Sequence, residues 1–159
     1  MIPAMATKVI LLRHGEAKNA SDDAERPLSE RGTEEIERVA AFIGRMKLNC
    51  KEIRHSVKKR AEQTALILAK HIQTEHGCIA VPGLTPNSDP KPVADMLNIE
   101  ESSVALVGHL PHLSYLAGLL LVKNPDRELI HFTTATAVCL SKQYGLWMIE
   151  WIVNPRIIK

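Results

Sequence analysis

The chain has 159 residues, of which 45% are hydrophobic and 24% charged, values close to the averages of globular proteins. This composition excludes disordered, collagen-like and fibrous chains, and the length suits one domain with its own hydrophobic core. The formal net charge of +2 favours neither nucleic acid nor an anionic membrane as partner, so an anion site would be local. We expect a single domain over residues 1–159 with a core of about 8–153.

The cysteines and the apolar segments bear on the cellular compartment. Three cysteines, odd in number and widely spaced, favour reduced thiols over a disulfide framework. They are Cys50, Cys78 and Cys139. The longest mainly apolar stretch, residues 115–122, is far shorter than the roughly 20 residues of a membrane span. Residues 1–8 do not resemble a signal peptide, and Met5 is a candidate natural start. We therefore expect a cytoplasmic protein.

The first half of the chain predicts two units of a strand followed by a helix. Residues 9–12 are a continuous β-branched and aliphatic run, as in a strand buried on both faces. A stripe of apolar residues then predicts an amphipathic helix with Ser29 or Thr33 as N-cap. Residues 52–56 are a weaker strand candidate. The two helical stripes consist of Ile36, Val39, Ala40, Ile43 and Met46, and of Ala61, Ala65, Leu68, Ala69 and Ile72.

The second half continues this alternation and then changes. Residues 78–81 predict a strand, residues 82–90 a loop rich in Pro, Gly, Asn and Asp, and a short helix follows. Residues 104–108 predict another buried strand, and Pro111 suits the first turn of the next helix. The two apolar helix stripes are Val93, Met96 and Leu97, and Leu113, Leu116, Ala117 and Leu120.

The C-terminal region predicts a hairpin of residues 136–140 and 146–153 around a turn at 141–145. At the period of two that strands have, Trp147 and Trp151 would share one face and serve in packing. Strands that alternate with helices before a terminal hairpin predict a three-layer α/β/α sandwich with a mixed, mostly parallel sheet.

Reactive side chains follow three of the predicted strands. Ligands of open α/β sheets bind beyond the carboxyl ends of the strands. The first strand ends in Arg13 and His14, the second leads through Ser56 to Arg60, and the strand at 104–108 leads into His109. Two histidines and two arginines are therefore expected at one edge of the sheet.

This set of residues suits phosphoryl transfer through a histidine nucleophile. The guanidinium groups of Arg13 and Arg60 match phosphate oxygens and would stabilise charge in the transition state. Their positive charge would also disfavour the imidazolium form of His14 and so leave a nitrogen lone pair free. Gly15 would let the backbone approach closely, and the amides that follow His109 could add donors to an anion.

Less specific interpretations stand beside this one. An isolated Arg-His-Gly tripeptide is a weak signal, and a single buried histidine is more often a hydrogen-bonded core residue than a catalyst. His109 and His112 have a spacing that could serve a metal, but no carboxylate motif accompanies them, so we expect no metal and place His112 on the helix surface. We expect Lys58 and Lys59 to be solvent-exposed.

Four ordered motifs resemble the histidine phosphatase superfamily, and more closely its compact SixA-type phosphohistidine phosphatase branch. They are VILLRHGEA at 9–17, RPLSERG at 26–32, SVKKRAEQTA at 56–65 and VGHLP at 107–111. The resemblance implies a phosphoglycerate-mutase-like fold and dephosphorylation through a phosphohistidine intermediate, without metal or other cofactor. It implies that His14 is the nucleophile and that Arg13, Arg60 and His109 form the phosphate pocket. His109, if cationic, would also hold the oxygens of the transferring group.

The departures from the family pattern narrow the expected substrate. Larger relatives carry insertions that form a lid, whereas this chain offers only the loop at 82–90, which suggests an open pocket and a protein-borne phosphate. For SixA-type relatives this implies phosphohistidine on a histidine phosphotransfer domain or another phosphocarrier protein. Many relatives also have a carboxylate acid after the third strand, which is absent here; Glu16 or Asp89 could replace it. The segment His55-Ser56-Val57 replaces the usual approach to the arginine.

Three alternatives remain open at this point. The leading hypothesis is a cytoplasmic phosphohistidine phosphatase that acts on a protein and favours the monomeric state. The first alternative is a phosphomonoesterase for a small phosphorylated metabolite, with Glu16 or Asp89 as acid. The second is a weakly catalytic module that binds a phosphorylated protein. A metal-dependent hydrolase built on His109 and His112 is the third.

Overall fold

A computed structural model of the protein describes residues 6–159, so the candidate start at Met5 lies outside the described residues. Within this range, six strands and four helices precede a terminal hairpin of two further strands. The strands are β1 (Thr7–Arg13), β2 (Asn49–Cys50), β3 (Ile53–His55), β4 (Gln73–Thr74), β5 (Cys78–Ala80), β6 (Val104–Gly108), β7 (Ala137–Gln143) and β8 (Leu146–Val153). The helices are α1 (Glu30–Gly44), α2 (Lys59–Ala69), α3 (Lys91–Ile99) and α4 (His112–Val122).

Six strands form one mixed sheet in the order β5-β3-β6-β1-β7-β8. Strands β5, β3, β6 and β1 are parallel to one another, whereas β7 is antiparallel to both β1 and β8. The predicted mixed, mostly parallel sheet is confirmed. A separate two-stranded pair of β2 and β4 was not predicted, because two residues per strand leave no periodic signal.

The hydrophobic core lies on both faces of this sheet. Ile10 and Leu12 pack with residues of α1 and α2, whereas Val9 and Leu11 pack with residues of α3 and α4. All four side chains are at most 1% exposed, so the strand is buried on both faces as predicted. This confirms the three-layer α/β/α sandwich, and no helix in the described range is long and apolar enough to cross a membrane.

The C-terminal hairpin is longer than its sequence predicts. Strand β7 continues through residues 141–143, and the turn consists only of Tyr144 and Gly145, at φ of 53° and 75°. Two successive residues with positive φ are typical of a two-residue hairpin turn. Polar residues obscure the end of the strand in the sequence: Lys142 donates hydrogen bonds from Nζ to three carbonyls around the end of α3.

The prediction that Trp147 and Trp151 share a face is wrong. The pairing of β7 with β8 shifts by one residue between Cys139 and Leu140, so that Cys139 pairs with Trp151 and Leu140 with Ile149. Because one extra residue reverses the alternation of a strand, the two indoles point to opposite faces of the sheet. Trp147 packs in the core beside α3 and α4, and Trp151 packs against the core beside α1 and α2.

Close backbone packing joins the end of β1 to the start of α1. Ser29 caps α1 as predicted, since its side chain accepts a hydrogen bond from the Gly32 amide at 3.0 Å. A Cβ atom on Gly32 would overlap the Glu16 carbonyl oxygen and lie 2.8 Å from the Glu16 nitrogen. A Cβ on Gly15 would lie 2.8 Å from Ile36 Cγ1. Both glycines are therefore needed to let the segment after β1 rest on the first turn of α1.

We expect Gly32→Ala to lower the free energy of unfolding by about 3 kcal/mol or more, because the new methyl group meets backbone that cannot move aside. The measurement is urea unfolding followed by circular dichroism. Gly77→Ala is the matched control: Gly77 has φ of 68°, and a methyl group there would have no atom within 4 Å, so only backbone strain of about 1 kcal/mol applies. Equal losses in the two variants would contradict the packing argument.

Candidate active site

Three neighbouring parallel strands deliver the central side chains. His14 follows β1, Ser56 follows β3 and His109 follows β6, all at the carboxyl edge of the sheet. The imidazole rings of His14 and His109 have centroids 4.9 Å apart and are tilted by 57°. The structure therefore brings together the two histidines that the sequence places at strand ends.

The backbone fixes the tautomer of His14. Its Nδ1 atom lies 2.7 Å from the Gly15 carbonyl oxygen, which can only accept, so Nδ1 carries the proton and Nε2 holds the lone pair. Burial lowers the pKa of His14 to about 4, and the charges of Arg60 and Arg13 add to this effect. His14 is therefore neutral at neutral pH, with an unprotonated Nε2.

His109 is also neutral, and a serine holds it. Its Nε2 atom lies 2.8 Å from Ser56 Oγ, and the side chain is 1% exposed. Burial lowers the pKa of His109 to about 3, with further lowering by His14, Arg60 and Lys58. His109 is thus not cationic at neutral pH in the protein alone, so the role that requires a cationic ring does not apply to this state. The buried Nδ1 has no hydrogen-bond partner among residues 6–159, so it can interact with a bound group.

Two arginines surround the histidine pair. Arg13 is half-buried and donates from Nη1 to the Phe132 carbonyl at 2.8 Å, while its buried Nε has no partner in the described part of the chain. Arg60 lies in the first turn of α2, and its charge acts on both histidines. Burial lowers the pKa of each guanidinium below its ordinary value. Both remain charged at neutral pH, so the site presents cations to an anionic group.

Thr64 links the segment after β1, which carries His14, to α2. Its hydroxyl accepts a hydrogen bond from the Gly15 amide at 3.2 Å and donates one to the Arg60 carbonyl at 2.8 Å. Thr64 is completely buried. The turn that carries His14 and the turn that carries Arg60 are therefore held against each other by one side chain.

The two suggested proton donors are engaged at helix starts. One Glu16 carboxylate oxygen accepts from Ser29 Oγ at 2.9 Å, and the other lies 3.9 Å from Arg31 Nη1. Asp89 is exposed and accepts from the Lys91 amide at 3.0 Å where α3 begins. The charged groups that shift the pKa of His14 and His109 are cations, whereas the Asp89 charge acts on His112. A role for either carboxylate as an acid stays a prediction.

The sequence reasoning gave no role to Ser56, Thr64 or Arg26, although each belongs to this site. Ser56 directly follows a strand end, so the same rule that selects His109 could have found it. Thr64 lies one helical turn after Arg60, which was the available signal. Arg26 lies far from the strands in sequence, yet its charge lowers the pKa of both His14 and Arg60. Nothing in the local sequence indicates that proximity.

The placement of His112 on the helix surface is wrong. Its side chain is 0% exposed, and neither ring nitrogen has a hydrogen-bond partner among the described residues. Burial lowers its pKa from 6.5, and the Asp89 carboxylate partly opposes this shift. His112 is the first residue of α4, and its side chain faces the protein interior. Within residues 6–159, no group of three or more His, Cys, Asp or Glu side chains is arranged to hold a metal ion.

The fold and site define an α/β domain that holds paired neutral histidines beside two arginines, and the chain is similar to known proteins. The model of the histidine phosphatase superfamily (branch 1) matches residues 9–84. Phosphohistidine phosphatase SixA of Escherichia coli strain K12 is 28% identical over 158 residues, which cover 96% of each chain.

Solved structures agree with this match. The protein histidine phosphatase SixA complexed with tungstate has a TM-score of 0.82 at 28% identity, over 94% of this chain and 98% of that chain. A proposed phosphohistidine phosphatase SixA from Agrobacterium tumefaciens has a TM-score of 0.78 at 23% identity, over 94% and 98% of the chains, and shows the fold alone.

The chain resembles the histidine phosphatase superfamily, and the similarities support its SixA-type branch. The predicted resemblance and the predicted fold, without a large lid, are both confirmed. Together the similarities support a histidine phosphatase, a hydrolase of phosphate bonds.

We expect His112→Leu to raise the free energy of unfolding by about 1 kcal/mol or more, because two unpaired buried polar atoms give way to an apolar group. The gain grows as pH falls. The pKa of His112 is lowered in the folded state, so below pH 6.5 the unfolded state binds more protons and folded stability is lost. Thermal unfolding between pH 5 and pH 8 measures both effects.

His55→Leu is the matched control for this prediction. His55 is also buried, but its Nδ1 lies 2.9 Å from the Ser56 carbonyl oxygen, so the substitution removes a hydrogen bond. We expect it to destabilise the fold. A loss of stability in His112→Leu as large as that in His55→Leu would contradict the account of His112.

Proposed function

We propose that the protein is a metal-independent phosphohistidine phosphatase that removes phosphate from a histidine on a protein such as a histidine phosphotransfer domain. A cytoplasmic location is part of this proposal. The observation that carries it is the His14 ring: Nδ1 is bonded to the Gly15 carbonyl, and Nε2 is left unprotonated in the field of Arg13 and Arg60. The name of the E. coli relative, phosphohistidine phosphatase, supports the substrate class.

In the first step, the Nε2 lone pair of His14 attacks the phosphorus of the donor phosphohistidine. A bond from Nε2 to phosphorus forms, and the bond from the donor nitrogen to phosphorus breaks. The donor ring, protonated at its other nitrogen, departs as neutral imidazole. The His14 ring becomes a phosphoimidazolium whose Nδ1–H still donates to the Gly15 carbonyl, so this hydrogen bond stabilises the positive ring.

In the second step, water attacks the phosphorus of phosphorylated His14. The bond from Nε2 to phosphorus breaks, its electron pair returns to Nε2, and dihydrogen phosphate leaves. His14 is again neutral with a proton on Nδ1. Arg13, Arg60 and His109 are proposed to bind the phosphoryl oxygens in both steps, since buried Arg13 Nε and His109 Nδ1 are otherwise unpaired in the described chain.

The state of the site favours phosphohistidine over a phosphate ester. An ester releases an alkoxide, which needs a proton from an acid, whereas protonated phosphohistidine releases neutral imidazole. Both central histidines are neutral at neutral pH, so neither is a cationic acid. The Glu16 carboxylate accepts a hydrogen bond from Ser29 and lies near Arg31. As acids for an ester substrate, Glu16 and Asp89 are the candidates that the chain offers.

We expect His14→Gln to abolish phosphoryl transfer. Wild type, mixed with a phosphorylated histidine phosphotransfer domain in the presence of a chelator, gains one phosphoryl group and releases phosphate from the donor. His14→Gln gains none, and turnover falls at least about 10³-fold, because the attacking nitrogen is lost. Intact mass spectrometry after quenching at alkaline pH follows both proteins.

His76→Gln is the control, since His76 is exposed and follows β4 at the other end of α2. It should behave as wild type. A phosphoryl adduct on His14→Gln would show that another residue is the nucleophile. Loss of wild-type turnover on chelation would contradict metal independence, and a donor that stays phosphorylated would contradict the substrate class.

A further inference from the structure

A cationic cleft adjoins the phosphate pocket. It has a volume of about 620 Å³ and lies between the segment before α1 and the first turn of α2. Its lining includes four cationic side chains, two carboxylates and two exposed apolar side chains. The cations are Arg26, Lys58, Lys59 and Arg60, the carboxylates are Glu25 and Glu62, and the apolar residues are Ala24 and Val57. The cations outnumber the carboxylates, so the cleft carries an excess of positive charge.

Two of these cations are free to bind an external anion. Lys59 lies 3.4 Å from Glu62, which neutralises it in part, and Arg60 belongs to the proposed phosphate pocket. Arg26 donates from Nε only to the Lys18 carbonyl, so its charge is not compensated there. Across residues 6–159, the ion pairs include neither Arg26 nor Lys58.

Both free cations lie within electrostatic reach of the reacting groups. The charge of Arg26 acts on His14 and Arg60, and that of Lys58 acts on His109. Lys58 also occupies the N-cap position of α2, where its amide lies 3.3 Å from Ser56 Oγ, the atom that holds His109. An anion held by Arg26 and Lys58 would therefore lie beside the phosphoryl group rather than at a separate site.

We propose that this cleft docks an acidic protein surface around the phosphorylated histidine of the substrate, with Arg26 and Lys58 as the residues that select it. The inference rests on the proposed function. Val57 lines the same cleft and is 63% exposed, which supports a protein partner because apolar contacts beside charged residues are typical of protein interfaces. Carboxylates flanking the phosphohistidine would pair with Arg26 and Lys58 and guide the approach of the substrate.

The test compares a large and a small substrate. The value of kcat/KM is measured for free phosphohistidine and for a phosphorylated histidine phosphotransfer domain with carboxylates around its histidine. For Arg26→Glu and Lys58→Glu, we expect kcat/KM on the protein to fall about 10-fold or more beyond any change on free phosphohistidine. The free amino acid corrects for the effect of either charge on the histidines.

Two controls make the assignment specific. Lys47→Glu reverses an exposed charge at the opposite edge of the sheet and should leave kcat/KM on both substrates at the wild-type value. A donor domain whose flanking carboxylates are changed to lysine should be a poor substrate for wild type and should recover with Arg26→Glu. Such recovery requires direct pairing of the two surfaces.

Other outcomes overturn the inference in distinguishable ways. Equal losses on both substrates would show that the cleft acts only on chemistry, and the proposed function would stand. Absence of turnover by wild type on both substrates would remove the proposed function and this inference with it. Binding of RNA or of anionic phospholipid vesicles that Arg26→Glu abolishes, without a selective loss on the protein substrate, would assign the cleft to a different class of partner.

Discussion

The site depends on the cost of burying a positive charge beside other cations. His14 and His109 are buried side by side near Arg13 and Arg60, so protonation of either ring would bury an uncompensated cation. The pKa is accordingly about 4 for His14 and about 3 for His109. Burial is the largest cause of both lowered pKa values, and the neighbouring cations add to it. The same cations would attract an incoming anion, so the neutral rings and the anion site depend on one arrangement of residues.

Backbone packing holds that arrangement together. The parallel neighbours β3, β6 and β1 end at one edge, which sets Ser56, His109 and His14 in adjacent positions. Gly32 lets the segment after β1 rest on α1, and Thr64 ties that segment to α2. Because the carbonyl that selects the His14 tautomer belongs to this packed segment, loss of packing would also release the His14 ring from its orientation.

Much of the fold and the centre of the site could be predicted from the sequence, because continuous apolar runs mark buried strands and strand ends mark ligand positions. The features that the sequence did not predict depend on single residues or on contacts between segments distant in sequence. One extra residue in β8 places Trp151 on the face of the sheet opposite to Trp147. His112 is buried although its side chain is polar, so residue type alone does not predict its position. Ser56 and Arg26 act through contacts with segments remote in sequence, which no local pattern reveals.

The most direct measurement of the central claim is the pH titration of the His14 ring by ¹⁵N NMR, with His14→Gln used to assign its signals. The account predicts a neutral ring protonated at Nδ1, with Nε2 unprotonated, and a midpoint of about 4. Because the pKa is lowered, the unprotonated Nε2 should persist throughout the neutral range and be lost only as pH falls toward this value. A midpoint near 6.5, or a proton on Nε2, would contradict the account.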